Sequence, residues 1–139
     1  MTYLLEKTFS FEAMHVLVGH DGKCARPHGH SYSLTVGAAF DRLQKDGPKR
    51  NMAMDFGEIS SLVRPMIEKY FDHQSLNETL ATNSPTAEFI ASWIFGHLSE
   101  QLPQLEVVTV RETATSSVTI RKSRKCDSCN VISNNIERA

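Results

Sequence analysis

The sequence predicts an α+β fold, with helices on one face of an antiparallel sheet. Three observations carry this. Segments near both ends of the chain alternate apolar and polar residues with the period of two that a strand requires. Two central segments instead repeat apolar residues at helical spacing. The resulting order, strands then helices then strands, does not alternate as a doubly wound parallel sheet does.

Residues 3–13 read as a strand, with Phe9, Phe11 and Ala13 on one face and His15 continuing the same parity. Residues 16–27 hold Gly19, Gly22 and Pro27 among several charges and read as a loop. Residues 28–40 alternate again, placing Tyr32, Leu34, Val36, Ala38 and Phe40 on one face, with His28 and His30 on its extension. The charged run Asp41 to Arg50, containing Gly47-Pro48, is a turn, and Asn51-Met52-Ala53-Met54 is a short strand candidate. Asp55-Phe56-Gly57-Glu58 has the spacing of a capping box and opens a helix over about 56–70, with Pro65 expected to kink or offset it. Ser84 is placed as the N-cap of a second helix, with Pro85 at its first position and Phe89, Ile90, Trp93, Ile94 and Leu98 as its stripe. Strands over 106–113 and 117–122 follow, joined by a hairpin turn. Residues 1–122 form one domain and 123–139 a polar tail.

Composition narrows the function. The chain has 139 residues, 40% hydrophobic and 22% charged, with net charge -1, so it presents no overall field for nucleic acid or an anionic membrane. No apolar run approaches the ~18 residues of a membrane span. The first residues, Met1 to Lys7, lack the pattern of a signal peptide, and a cytoplasmic location is expected. Three cysteines argue against a disulfide framework, and Cys126 and Cys129 form a lone C-x-x-C pair in the tail.

The chemistry concentrates in Cys24-Ala25-Arg26-Pro27-His28-Gly29-His30. On a strand, His28 and His30 project to one face, and His15 has the parity to join them. Three imidazoles on one metal leave a coordination position open, as in catalytic zinc sites. Cys24 has two readings. As a fourth ligand it closes the site; as a free thiol beside Lys23, Arg26 and a cation it can act, once ionised, as a general base. Asp72-His73 pairs a carboxylate with an imidazole whose tautomer it can fix, or is simply a histidine at a helix C-terminus. Glu112 has core parity with Val108 and Val110. It either lies at the strand's wet end or anchors a ligand edge bearing adjacent N–H donors.

Taken together, these segments resemble the 6-pyruvoyltetrahydropterin synthase / 6-carboxytetrahydropterin synthase family. The resemblance rests on Phe9 to His15, Cys24 to Tyr32, Met54-Asp55-Phe56, Asp72 to Asn77, Pro85 to Glu88 and Arg111-Glu112-Thr113, in family order. It implies a T-fold: a four-stranded antiparallel sheet with two helices on one face, whose subunits assemble into a barrel, as a homohexamer of two trimers. It implies that His15, His28 and His30 hold Zn²⁺, that Cys24 is the base, and that Asp72 and His73 relay a proton. Glu112 then anchors a pterin, with Thr86 and Glu88 near its edge. The Cys-x3-His-Gly-His spacing looks like the carboxy type of the queuosine pathway, which converts 7,8-dihydroneopterin triphosphate to 6-carboxy-5,6,7,8-tetrahydropterin, acetaldehyde and triphosphate. The alternatives are the pyruvoyl synthase, which keeps the side chain, and a non-catalytic zinc- or pterin-binding protein. Met14 and Val16 beside His15 depart from the family's usual smaller residue and arginine.

Overall fold

A computed structural model describes residues 1–123. The chain runs through β1 (Tyr3–His15), a 3-10 turn (Lys23–Ala25), β2 (His28–Phe40), α1 (Phe56–Tyr70) and β3 (Gln74–Ser75). It continues through α2 (Leu76–Thr79), α3 (Ala87–Ser99), β4 (Leu105–Thr113) and β5 (Ser116–Arg121). The sheet order is β3-β1-β2-β4-β5. Its four longer strands are antiparallel neighbours. The two-residue β3 adds a short parallel pairing at the β1 edge.

Alternation decides which side of the sheet is covered. On β1 the buried residues are Phe9, Phe11, Ala13 and His15, and on β2 they include Tyr32, Leu34, Val36 and Ala38. Opposite them pack Ile59, Val63, Met66 and Ile67 of α1 and Ile90, Ala91, Ile94 and Leu98 of α3, with Phe71 and Leu76 filling the space between elements. Each large apolar side chain so buried contributes about 1.5–3 kcal/mol. The opposite face carries Ser and Thr, with Thr8–Thr35 and Thr109–Thr119 hydroxyl pairs at 2.9 Å, and no helix among the described residues covers it.

α1 begins as the capping box predicts: the Asp55 carboxylate accepts from the Gly57 N–H at 2.8 Å, and Glu58 reaches back to the Asp55 N–H. The helix continues through Pro65. Its ring faces solvent, where water can satisfy the Ser61 carbonyl that has lost its helical partner, and Met66 and Ile67 continue the buried row beyond it. Asp55→Ala is expected to lower stability by about 1 kcal/mol, read as a urea midpoint shift, without touching the site at the far end of β1.

Two expectations change. Residues 51–54 are not a strand. Asn51 takes a left-handed φ of 67°, and the segment closes on Gln44 through Asn51 N–H to Gln44 O and Gln44 N–H to Met52 O, each 2.9 Å. The cap of α3 is Thr86, not Ser84. Thr86 Oγ1 accepts the Phe89 N–H at 3.1 Å, a donor that the Pro85 carbonyl would take if the helix began earlier. That carbonyl is thereby left for another partner. Cys126, Cys129 and the rest of the expected tail beyond residue 123 lie outside the described residues.

Candidate metal centre and its flanking cavities

β1 and β2 end together, with His15 opposite His28 and Ala13 opposite His30. Register and parity thus bring three imidazoles to one end of the covered sheet face. The Nε2 atoms of His15 and His28 lie 2.9 Å apart, and those of His30 and His15 3.1 Å. The rings meet at steep angles of 65°, 80° and 88°. Among the described residues this is the group of histidine, cysteine and carboxylate side chains whose ligand atoms converge, all within 4.8 Å.

The hydrogen bonds fix what these nitrogens are. His15 Nδ1 lies 2.8 Å from the Pro85 carbonyl, the oxygen freed by the Thr86 cap. His28 Nδ1 lies 2.7 Å from the Arg26 carbonyl. A carbonyl only accepts, so each Nδ1 carries the hydrogen and each neutral ring presents a bare lone pair at Nε2. Two lone pairs 2.9 Å apart repel unless a cation stands between them. Four-coordinate zinc, with Zn–N bonds of about 2.0–2.1 Å, sets its nitrogens roughly 3.3 Å apart. The donor set and its spacing therefore fit a tetrahedral cation with an open fourth position.

Electrostatics disfavour a charge on His30. Burial pushes His30 below its ordinary value, Glu112 opposes that, and His15 and His28 add to it. Burial also pushes the Tyr32 hydroxyl upward, with Glu112 reinforcing the effect. Tyr32 stacks on Phe11 beneath the cluster, its oxygen 3.4 Å from His15 Nδ1. The depressed His30 value fixes a sign. The unfolded chain binds the proton more readily, so metal-free protein should lose stability as pH falls through 6.5. Urea midpoints from about pH 8 to about pH 5 should decline in wild type and less steeply in His30→Gln.

Cys24 sits half-buried in the 3-10 turn and stands outside the converging group, while its carbonyl accepts the Leu17 N–H at 2.8 Å. Asp72 and His73 follow the C-cap of α1. A left-handed φ of 57° at His73 turns its ring outward, with Nδ1 3.0 Å from Asp72 Oδ2. Both residues lean on β1. Glu12 N–H donates to Asp72 Oδ1 at 3.0 Å, and His73 N–H donates to Glu12 O at 2.6 Å. The Glu12 amide, and then His73, hold the Asp72 carboxyl below its usual range.

Two cavities flank the cluster. One, of about 440 Å³, has His30 and His73 in its wall together with Glu12, Met14 and Gln74. The other, of about 290 Å³, is lined by Thr86, Glu88 and Glu112 with Ser116 and Ser117. Glu112 reaches the second cavity from a bulge: Arg111 pairs with Ser117 and Thr113 with Ser116, leaving Glu112 as the extra residue.

Residues 4–123 match the sequence profile of 6-pyruvoyl tetrahydropterin synthase. The chain belongs to the 6-pyruvoyl tetrahydropterin synthase family. Within this family it is 45% identical over 116 residues to the 6-carboxy-5,6,7,8-tetrahydropterin synthase of Synechocystis sp., covering 83% of this chain and 90% of that one. It is 38% identical over 136 residues to the enzyme of the same name from Haemophilus influenzae, covering 82% and 95%. The 6-pyruvoyl tetrahydropterin synthase structure from Caenorhabditis elegans superimposes with a TM-score of 0.75 at 25% identity, over 88% of this chain and 97% of that one. The fold is thus the family's T-fold, and the protein is an enzyme of the tetrahydropterin synthase family.

Strand parity points to the three histidines but not to what orients them. The Pro85 and Arg26 carbonyls carry no signature in sequence, because a backbone oxygen is common to every residue. His97 stacks on Trp93 within α3, with ring centroids 5.0 Å apart.

Proposed function

We propose that this protein is a zinc-dependent lyase that converts 7,8-dihydroneopterin triphosphate to 6-carboxy-5,6,7,8-tetrahydropterin, acetaldehyde and triphosphate, serving 7-deazaguanine (queuosine) synthesis in the cytoplasm. The observation that carries the reading is the convergence of three Nε2 lone pairs, two of them fixed by Nδ1–H bonds to backbone carbonyls. The identity to enzymes named for the carboxy product supports that product over the pyruvoyl one.

His15, His28 and His30 would hold the zinc. When bound, zinc supplies Lewis acidity toward the substrate's side-chain hydroxyls and makes the neighbouring C–H bonds more acidic. Cys24, outside the ligand group, takes a carbon-bound proton as the thiolate. Asp72 stays ionised and accepts the His73 Nδ1–H, which leaves His73 Nε2 to take and return a proton at the cavity it shares with His30. Glu112 accepts paired N–H bonds from the aminopyrimidine edge of the pterin, with Thr86 and Glu88 beside it. One water is consumed over the whole reaction, and no external reductant is needed because the side-chain carbon next to the ring is oxidised to the carboxylate as the ring is reduced.

The reading includes a homohexamer. Among the described residues the β5 edge is unpaired, and β1 beyond its contact with β3 offers another free edge, which identical copies can pair into a barrel.

The test is mass spectrometry of products from zinc-loaded protein and 7,8-dihydroneopterin triphosphate without oxygen. 6-Carboxytetrahydropterin with acetaldehyde is the expected result. A pyruvoyl product with an intact side chain would move the protein to the other branch of the family. Unchanged substrate at full zinc occupancy would sink the lyase reading and leave a zinc- or pterin-binding protein.

A further inference from the structure

We infer that Asn77 is a positioning residue that fixes His15 and the Cys24 turn relative to each other, its side-chain amide replacing a strand that the sheet lacks at Val16. The inference rests on the zinc-site reading for its consequence, though not for its geometry.

The cross-strand ladder of β1 and β2 ends at His15 and His28. On the other edge, β3 pairs only with Ala13 and Met14. Val16, the next residue, therefore has a backbone donor and acceptor with no strand beside them. Asn77 satisfies both: Val16 N–H donates to Asn77 Oδ1 at 2.9 Å, and Asn77 Nδ2–H donates to Val16 O at 2.8 Å. Only a primary amide offers an acceptor and a donor in the geometry of a peptide group. Asn77 thus extends the short β3 ladder beyond its backbone.

What lies on either side of Val16 gives the clamp its role. One residue before is His15, the buried member of the imidazole cluster. One residue after, Leu17 N–H donates to the Cys24 carbonyl at 2.8 Å, and Val18 N–H then donates to Asn83 O at 3.0 Å. Three consecutive amides are thus held by three separate parts of the chain. Asn77 itself stands on α2, directly after β3 and four residues past His73. One side chain ties the segment bearing Asp72 and His73 to the strand end bearing His15, and through Leu17 to the turn bearing Cys24. Its side-chain hydrogen bonds go to Val16 and not to an imidazole, so its effect on the metal runs through the backbone of Val16.

The test compares the full chain with Asn77→Ala, Asn77→Asp and Thr79→Val. Thr79 Oγ1 secures the same helix through the Tyr70 carbonyl at 2.6 Å and does not reach Val16. Three readouts are taken: hydrogen exchange of the Val16 and Leu17 amides in metal-free protein, zinc affinity against a chromophoric chelator, and the visible spectrum of the cobalt(II)-substituted protein. Asn77→Ala should speed exchange at both amides at least about tenfold, weaken zinc about 10–100-fold and shift the cobalt bands. Asn77→Asp keeps the acceptor for Val16 N–H but sets a charged oxygen against the Val16 carbonyl. It should retain slow exchange at Val16 while still weakening zinc, and it decides the matter if the alanine variant does not fold. Thr79→Val should lower the melting temperature and leave all three readouts at wild-type values. Slow exchange and unchanged zinc affinity in both Asn77 variants, or a Thr79→Val protein that reproduces their whole effect, would overturn the inference. A wild-type chain that takes up no zinc would instead defeat the metal reading, while exchange in the metal-free variants would still decide the clamp.

Discussion

Cys24→Ala protein is expected to fold, to take up zinc as the wild type does, and to turn over dihydroneopterin triphosphate about 10²–10⁴-fold more slowly. That range is what a positioned general base contributes. Zinc retention follows from geometry, because the thiol stands outside the group of converging ligand atoms. Little structural cost is expected either: Cys24 is only half-buried, and its hydrogen bond to Leu17 is made by a backbone carbonyl that alanine keeps. Alkylation gives an independent reading. With zinc bound, Cys24 in the wild type should react with iodoacetamide, as located by peptide mapping that separates it from Cys126 and Cys129. If zinc leaves with the cysteine, or protects it from alkylation, Cys24 is a ligand and the base must be sought elsewhere.

His15→Ala should cost more than either neighbouring substitution, because it removes a ligand and a buried packing element together. His15 is 1% exposed, whereas His28 and His30 are half-buried. Its ring meets those of His28, His30 and Tyr32 at steep angles. Alanine leaves a void and strips the Pro85 carbonyl of its donor, which together should lower the stability of metal-free protein by about 2–4 kcal/mol. Zinc affinity should fall by more than the 10–100-fold typical of losing a partner outside the ligand set, and lyase activity should drop to background. His28→Ala and His30→Ala should match the zinc loss with a smaller stability loss. Equilibrium urea unfolding of metal-free protein, beside chelator competition, separates the two effects. A His15→Ala chain that binds zinc normally would remove the cluster from consideration as the metal site.

Much of this site is legible in the amino-acid sequence. His15, His28 and His30 share a face because strand parity is a property of sequence position, and parity survived folding in both strands. The capping box at Asp55 was legible for the same reason, since its partners lie within three residues. The α3 start was misplaced because the decisive partner is distant: Pro85 gives its carbonyl to His15, seventy positions away in the chain, and the helix begins at the next available cap. β3 was missed because two residues carry no periodicity. The bulge that aims Glu112 depends on how many residues β5 sets against β4, a count that neither strand holds alone.

By itself the sequence determined the covered face of the sheet, the helical stripes, and the presence of three imidazoles and a thiol near one strand end. Those follow from periodicity and residue chemistry, which act over a few residues. Tertiary structure alone decided which nitrogen of His15 and of His28 is bare, that Asp72 and His73 rest on Glu12, and that Asn77 finishes the sheet at Val16. Each of those is a hydrogen bond to a backbone group. Every residue carries the same backbone donors and acceptors, proline's missing N–H aside, so only the folded arrangement selects which of them meet.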